Sequence, residues 1–268
     1  MMNKHLYEGE VLDRATSRES LETRLDMNKR YQSTDFDSWL MDRLSVVSGE
    51  DILDVGCGTG AQSIPSLNIV GSNGSVSSLD MSGESVNELI RKAGNATNLS
   101  AVVSDMGELE EVIEKQFSVK QYDLAQSSYA LYYSPRRIHV MDVMRNHLKP
   151  NGRLAVFTPN APHGMVEFVR EFSEIPAGVD ECMVFGPNVL ESYFRKHFWN
   201  VKIHFFHNIV RVPNVEDFLI FYKSTTYYKS EAEEKIYAEV QDKIDREGYF
   251  EYEKNGYLII GEDQIQNA

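Results

Sequence analysis

The chain is poor in cysteine, in basic residues and in long apolar runs. Cys57 and Cys182 are the only cysteines in 268 residues. Two thiols make no disulfide framework, and neither has zinc-ligand spacing to a histidine. No window approaches the roughly 18 apolar residues of a membrane-spanning helix, and the opening MMNKHLYEGEVLDR lacks the apolar stretch of a signal peptide. Lys and Arg number 27 against 41 Asp and Glu, a formal charge of −14. With no basic stripe, the charge argues against nucleic acid as the main partner, because phosphate neutralisation needs clustered cations. There is no internal repeat and no low-complexity linker. The chain therefore reads as soluble and cytoplasmic, in a reducing compartment, with no stable membrane insertion and no metal. Its oligomeric state stays open.

Apolar content is 42% and charged content 25%, enough for a sizeable core. Over more than a hundred residues, short apolar runs alternate with helical patterns. DILDV (51–55), SVSSLD (75–80), SAVVSD (100–105), YDLAQSSYA (122–130) and GRLAVFTPN (152–160) read as strands, with VKIHFF (201–206) and GYLIIG (256–261) completing a set of seven. Between them, DFDSWLMDRL follows a cap at Thr34 or Asp35 and stops at Gly49, and Ser134-Pro135 opens a helix with proline at its first position. Ser230 and Glu233 predict a capping box before Ile236, Val240 and Ile244, with Gly248 past the end. Nearly continuous apolar strands suit a parallel sheet covered on both faces. The fold class is α/β, a doubly wound, mostly parallel seven-stranded sheet. Residues 35–212 with 251–262 form the expected core; 1–34 and 213–250, an insertion before the last strand, form an expected helical cap on the substrate side.

In an open α/β sheet, ligands bind at the carboxyl ends of the strands, where strand order reverses. The first strand ends in GCGTG, and Gly56, Gly58 and Gly60 permit positive φ and close approach to bare backbone. Gly56, Gly58 and Ala61 also satisfy the dinucleotide fingerprint, with Asp80 about twenty residues on. Asp54 weighs against that reading, since its charge repels a pyrophosphate and suits an ammonium. A P-loop is excluded because no Gly-Lys-Ser/Thr follows.

DILDVGCGTG closely resembles the first motif of the class I S-adenosylmethionine-dependent methyltransferases. LDMS (79–82), SDMGEL (104–109), YDLAQSS (122–128) and HLKPNGRLAVF (147–157) resemble the later motifs in order, so the resemblance covers about residues 35–160. Asn151 stands where glycine is usual, and Asn also tolerates left-handed turns. The resemblance implies a Rossmann-like methyltransferase fold and S-adenosylmethionine as cofactor. It places Gly56, Gly58 and Gly60 beneath the methionine part, Asp54 near its ammonium and Asp80 on the ribose hydroxyls. Met81 would pack on adenine, Asp105 would accept from its amino group, and the Met106 N–H would bond a ring nitrogen. Ser127 would lie near the sulfonium, and Tyr31 resembles a tyrosine that closes over the cofactor. Taken singly, a strand-end Asp more often just caps the next helix; the group converges on one sheet edge.

Acceptor contacts fall after the fourth and fifth strands, at Tyr129, Tyr132, Tyr133, Asn160 and His163, with His163 the candidate base for a hydroxyl acceptor. The implied function is methyl transfer to an N or O atom of a small-molecule acceptor. A non-catalytic S-adenosylmethionine-binding regulatory protein is the alternative, and an NAD(P)-dependent oxidoreductase a minor one.

Overall fold

The computed structural model describes residues 10–265. Eight strands form: β1 (Asp51–Val55), β2 (Ser75–Asp80), β3 (Leu99–Val103), β4 (Tyr122–Ser128), β5 (Leu148–His163), β6 (Phe198–Phe206), β7 (Ile209–Val212) and β8 (Phe250–Gln264). Seven of them run in the order β3-β2-β1-β4-β5-β8-β6, and β7 lies off this path on β8. Pairing is parallel from β3 to β5, while β8 is antiparallel to both β5 and β6. The expected doubly wound sheet is present, and β7 is a strand that the sequence reading did not anticipate.

The strands are apolar throughout because both faces are covered. In β1, Ile52 packs into one core layer, while Leu53 and Val55 pack into the other. In β5, Ala155 and Phe157 face one layer, and Leu154 and Val156 the other. The strand period of two thus sends alternate side chains into two separate cores, each apolar.

The element ends follow local chemistry. Asp35 caps the helix Phe36–Leu44, its carboxylate accepting from the N–H groups of Asp37 and Ser38. That helix ends at Leu44, earlier than Gly49, because Ser45 turns left-handed (φ 51°). Arg153 holds the end there: it donates to the Leu44 carbonyl at 2.8 Å and pairs with Glu50 at 2.7 Å. The helix after β4 starts at Arg137, two residues beyond Pro135, behind a short 3-10 turn, Leu131–Tyr133. The capping box at Ser230 does not form. Glu233 pairs instead with Lys223 at 2.8 Å and accepts from the Tyr228 hydroxyl at 2.7 Å, and the helix Glu233–Glu247 begins from a 3-10 turn. Gly248 ends it in the left-handed region, as expected.

Residues outside the sheet meet over its carboxyl edge. The helix Arg18–Tyr31 packs on the helix Val215–Lys223: Arg24 donates to the Ser224 carbonyl, and the Tyr31 hydroxyl donates to Asp217. Buried Asn208 accepts from the Ser33 and Thr34 N–H groups at 2.9 and 3.1 Å, fixing the chain between that first helix and the core.

Glycine positions in the first loop are set by packing as well as φ. A Cβ on Gly56 (φ 78°) would stand 2.2 Å from the Ala130 Cβ, whereas one on Gly94 (φ 62°) would meet nothing within 4 Å. Both substitutions strain the backbone, at about 1 kcal/mol; Gly56→Ala also overpacks, for about 1–3 kcal/mol more. Urea unfolding should therefore show a clearly lower midpoint for Gly56→Ala than for Gly94→Ala, and equal midpoints would contradict the packing account.

Candidate functional site

Strand order reverses between β1 and β4, so the loops leaving these strands part and a crevice opens between them. The crevice continues into an internal cavity of about 300 Å³. Its lining crosses the sheet edge in strand order: Asp105 and Met106 after β3, Asp80 and Met81 at the tip of β2, Gly56 and Gly58 after β1. Ser128 ends β4 and Tyr129, Ala130, Tyr132 and Tyr133 follow it, His163 ends β5, and Lys254 stands in β8. With neighbouring strands about 4.8 Å apart, the row from β3 to β8 spans roughly 20–25 Å. The helix Arg18–Tyr31 roofs it with Leu21, Arg24, Leu25 and Asn28, which share one helical face.

Asp80 braces the glycine loop. Its Oδ2 accepts from the Gly58 N–H at 2.9 Å and its Oδ1 from the Ser82 N–H at 2.8 Å. Each oxygen keeps a lone pair for a further donor. Burial pushes this carboxyl above its ordinary range, and the two N–H bonds oppose the shift. Asp105 is more exposed; its Oδ1 accepts from the Gly107 N–H at 2.6 Å, the turn-capping role open to any strand-end Asp. Met81 is 46% exposed and offers a free apolar face.

Several predicted residues stand elsewhere. Asp54 is buried beneath the loop, where it accepts from the Ser63 hydroxyl at 2.5 Å, and Ser63 in turn contacts the Ser78 hydroxyl at 3.0 Å. Burial lifts the Asp54 carboxyl to about 6, and it does not line the cavity. Gly60 does not line it either; a Cβ there would stand 2.5 Å from Leu89, so its glycine serves packing. Ser127 points away and Ser128 replaces it in the lining, because neighbouring strand residues face opposite sides. Tyr31 donates its hydroxyl to Asp217 on the helix Val215–Lys223, and Asn160 donates to the Ala161 carbonyl at 2.8 Å; neither lines the cavity.

Tyr129, Tyr132, Tyr133 and His163 do line it. Tyr129 takes a positive φ of 55°, which lays its ring against Phe36 and Phe157 at 5.4 and 4.8 Å. His163 is 7% exposed and its Nδ1 has no hydrogen-bond partner. Burial, and then the nearby Lys254 charge, push its pKa down to about 3. Burial thus favours the neutral imidazole, and His163 lines the cavity as expected. Lys254, opposite His163 in the β5–β8 pairing, was missed. Burial, with help from Arg24, lowers it to about 7. The signal lay in FEYEK: Phe250 and Tyr252 are buried while Glu251 and Glu253 are exposed, so Lys254 continues the inward face.

Residues 47–196, more than half of the chain, match the family model described as a methyltransferase domain. Over 132 residues the chain is 29% identical to the aklanonic acid methyltransferase DauC of Streptomyces sp. strain C5; the match covers 48% of this chain and 57% of that protein. The chain thus spans little more than half the length of that relative. Among solved structures, the YcgJ protein of Bacillus subtilis superimposes with a TM-score of 0.56 at 13% identity, covering 86% of this chain and 98% of that one. The [4+2]-cyclase SpnF gives 0.50 at 15% identity, covering 87% and 86%. These likenesses show the fold. With the strand order, the glycine loop and the acids at the tips of β2 and β3 already placed, the family match leads to one conclusion: the chain belongs to the class I S-adenosylmethionine-dependent methyltransferases.

Proposed function

We propose that this chain transfers the methyl group of S-adenosylmethionine to an N or O atom of a small-molecule acceptor. One observation carries the reading. A single cavity joins an acid-bearing rim at β1–β3 to an aromatic half at β4, β5 and β8, so two ligands can lie end to end within it.

The rim fits the cofactor's chemistry. Asp80 offers lone pairs on two oxygens to the paired ribose hydroxyls, and Asp105 offers one to the adenine amino group. Met81 and Met106 supply apolar contact, and the Met106 N–H stands at the place of a ring-nitrogen donor. Gly56 and Gly58 bring bare backbone to the methionine part. Asp54, beneath the loop, acts on that part through the loop rather than by contact. Ser128, whose hydroxyl is buried without a partner, takes the place first given to Ser127.

When bound, the cofactor supplies a methyl group on a sulfonium, activated without help from the protein. The chain's own residues then align the acceptor and exclude water, and orientation alone can contribute several kcal/mol. Residues 35–212 with 251–262 are the cofactor-binding core. The helix Arg18–Tyr31 and the segment 213–250 act as a cap, which their meeting over the sheet edge supports. That the similar Streptomyces protein is an aklanonic acid methyltransferase favours a small-molecule acceptor. Among the described residues no helix is long and apolar enough to cross a membrane, and a cytoplasmic setting is part of the proposal.

Calorimetry with S-adenosylhomocysteine tests the assignment. Asp80→Ala should weaken binding about tenfold or more, the effect of losing hydrogen bonds to a charged acceptor, and unchanged affinity would refute it. His163 gives a second test. Its pKa is near 6.5 in the unfolded chain and about 3 in the fold, so between those values the unfolded chain binds the extra proton. Stability should fall with falling pH by up to ~1.4 kcal/mol per unit. His163→Gln should flatten that slope in urea titrations, and an unchanged slope would contradict the buried, neutral imidazole.

A further inference from the structure

The end of the cavity farthest from Asp105 carries the basic side chains Arg24 and Lys254. Seven charged or imidazole side chains line the whole cavity: Arg24, Lys29, Asp37, Asp80, Asp105, His163 and Lys254. Lys29 and Asp37 pair with each other at 3.4 Å. Asp80 and Asp105 stand at β2 and β3, four or more strands from β8, or roughly 20 Å. Among the described residues, Arg24 donates only to the main-chain carbonyls of Arg14, Ala15 and Ser224, at 3.1, 3.4 and 2.5 Å. Neutral oxygens hold the guanidinium in place and leave its charge uncancelled.

Lys254 makes no ion pair among the described residues, and its ammonium lies 5.6 Å from the centre of the Tyr129 ring. A cation–π contact replaces only part of the hydration that an ammonium loses on enclosure. Beside it, the Nδ1 of His163 is buried with no partner. A half-buried amine without an ion pair and a buried, unpartnered imidazole nitrogen, paired across β5 and β8, are costly to keep unless a ligand satisfies them. The walls are Tyr129, Tyr132, Tyr133, Phe221 and Tyr227, which present ring faces and apolar surface.

We infer that this end of the cavity is an oxyanion site, taking an acceptor with an apolar, ring-like body and an acidic hydroxyl or carboxyl group bound as its anion opposite Lys254. His163 Nδ1 is the second contact, and Arg24 adds positive potential from the roof. The inference rests on the reading that the rim half takes the cofactor, and it names the class of acceptor for the other half. A carboxylic acid arrives already ionised. A phenol or enol breaks its O–H bond, the electron pair stays on oxygen, and the proton goes to Lys254 when its amine is neutral, or to water when Lys254 is already an ammonium. In both cases the bound state is an oxyanion facing an ammonium.

Two probes small enough for the cavity test this without turnover. In the first, p-nitrophenol is added at a pH below its free pKa, and the absorbance of its phenolate is read. In the second, benzoate and its neutral analogue benzamide are titrated by calorimetry. The site should raise the phenolate fraction of bound nitrophenol, or bind benzoate about tenfold more tightly than benzamide, the effect of one charge-assisted contact. A response to nitrophenol alone assigns a phenol or enol acceptor, and a preference for benzoate alone a carboxylic acid. Lys254→Met should abolish whichever response is seen, and Lys254→Arg should keep the benzoate preference. No rise in phenolate together with no preference for benzoate over benzamide overturns the inference, and so does a response that survives Lys254→Met. The wild-type measurements decide even if a variant fails to fold. Binding of S-adenosylhomocysteine, followed in parallel, separates the two readings: its loss counts against the rim assignment, while intact binding without an oxyanion response overturns this inference alone.

Discussion

The reversal of strand order at β1 is the constraint on which the rest depends. β2 and β3 stack to one side of β1, and β4, β5 and β8 to the other. The connections from β1 and β4 therefore leave in opposite directions, and a crevice opens between them. The loop at the gap is built to stay open and fixed. Gly56 and Cys57 both donate to the Leu79 carbonyl, at 2.7 and 3.1 Å, and Gly58 donates to Asp80. One carboxylate thus holds the loop and still faces the cavity. Asp54 supports the same loop from below through Ser63, in an environment dry enough to raise its own pKa.

The sheet edge also sorts charge. Acids stand at the tips of β2 and β3, and bases stand at β8 and on the roof. Burying either sign alone is expensive, because a partly enclosed charge loses hydration that only a partner can replace. An assembly with unpaired acids at one end and unpaired bases at the other is stabilised when complementary ligand groups arrive at each. This also explains why the fold alone does not fix the chemistry. A [4+2]-cyclase shares the architecture, so the reaction lies in the site residues and not in the fold.

Much of the core was legible in the sequence because its elements are local. Strands buried on both faces read as apolar runs, and the caps at Asp35 and Gly248 sit where their side-chain chemistry places them. The rim was legible for the same reason: Asp80, Met81, Asp105 and Met106 occupy strand ends, and strand ends in a parallel sheet share one edge. What was misread depends on long-range contact. The helix end at Leu44 is set by Arg153, 109 positions away, and no local signal points to it. Glu233 forsakes a capping box for Lys223. Tyr31 is drawn off by Asp217, which lies 186 positions along the chain. Of the three glycines of the first loop, Gly56 and Gly58 line the cavity, whereas Gly60 makes room for Leu89. Lys254 escaped because β8 begins at Phe250, six residues before the apolar run that announced it.

The central claim is our proposal that the rim from Gly56 to Asp105 holds S-adenosylmethionine, its nucleoside at Asp80 and Asp105, and leaves the aromatic half free. A crystal structure of the complex with S-adenosylhomocysteine tests it most directly. The account predicts both ribose hydroxyls within about 2.5–3.0 Å of the Asp80 carboxylate and no ligand atom beyond Tyr129. A ligand seated among Lys254, His163 and the tyrosines, with the rim bare, would contradict it.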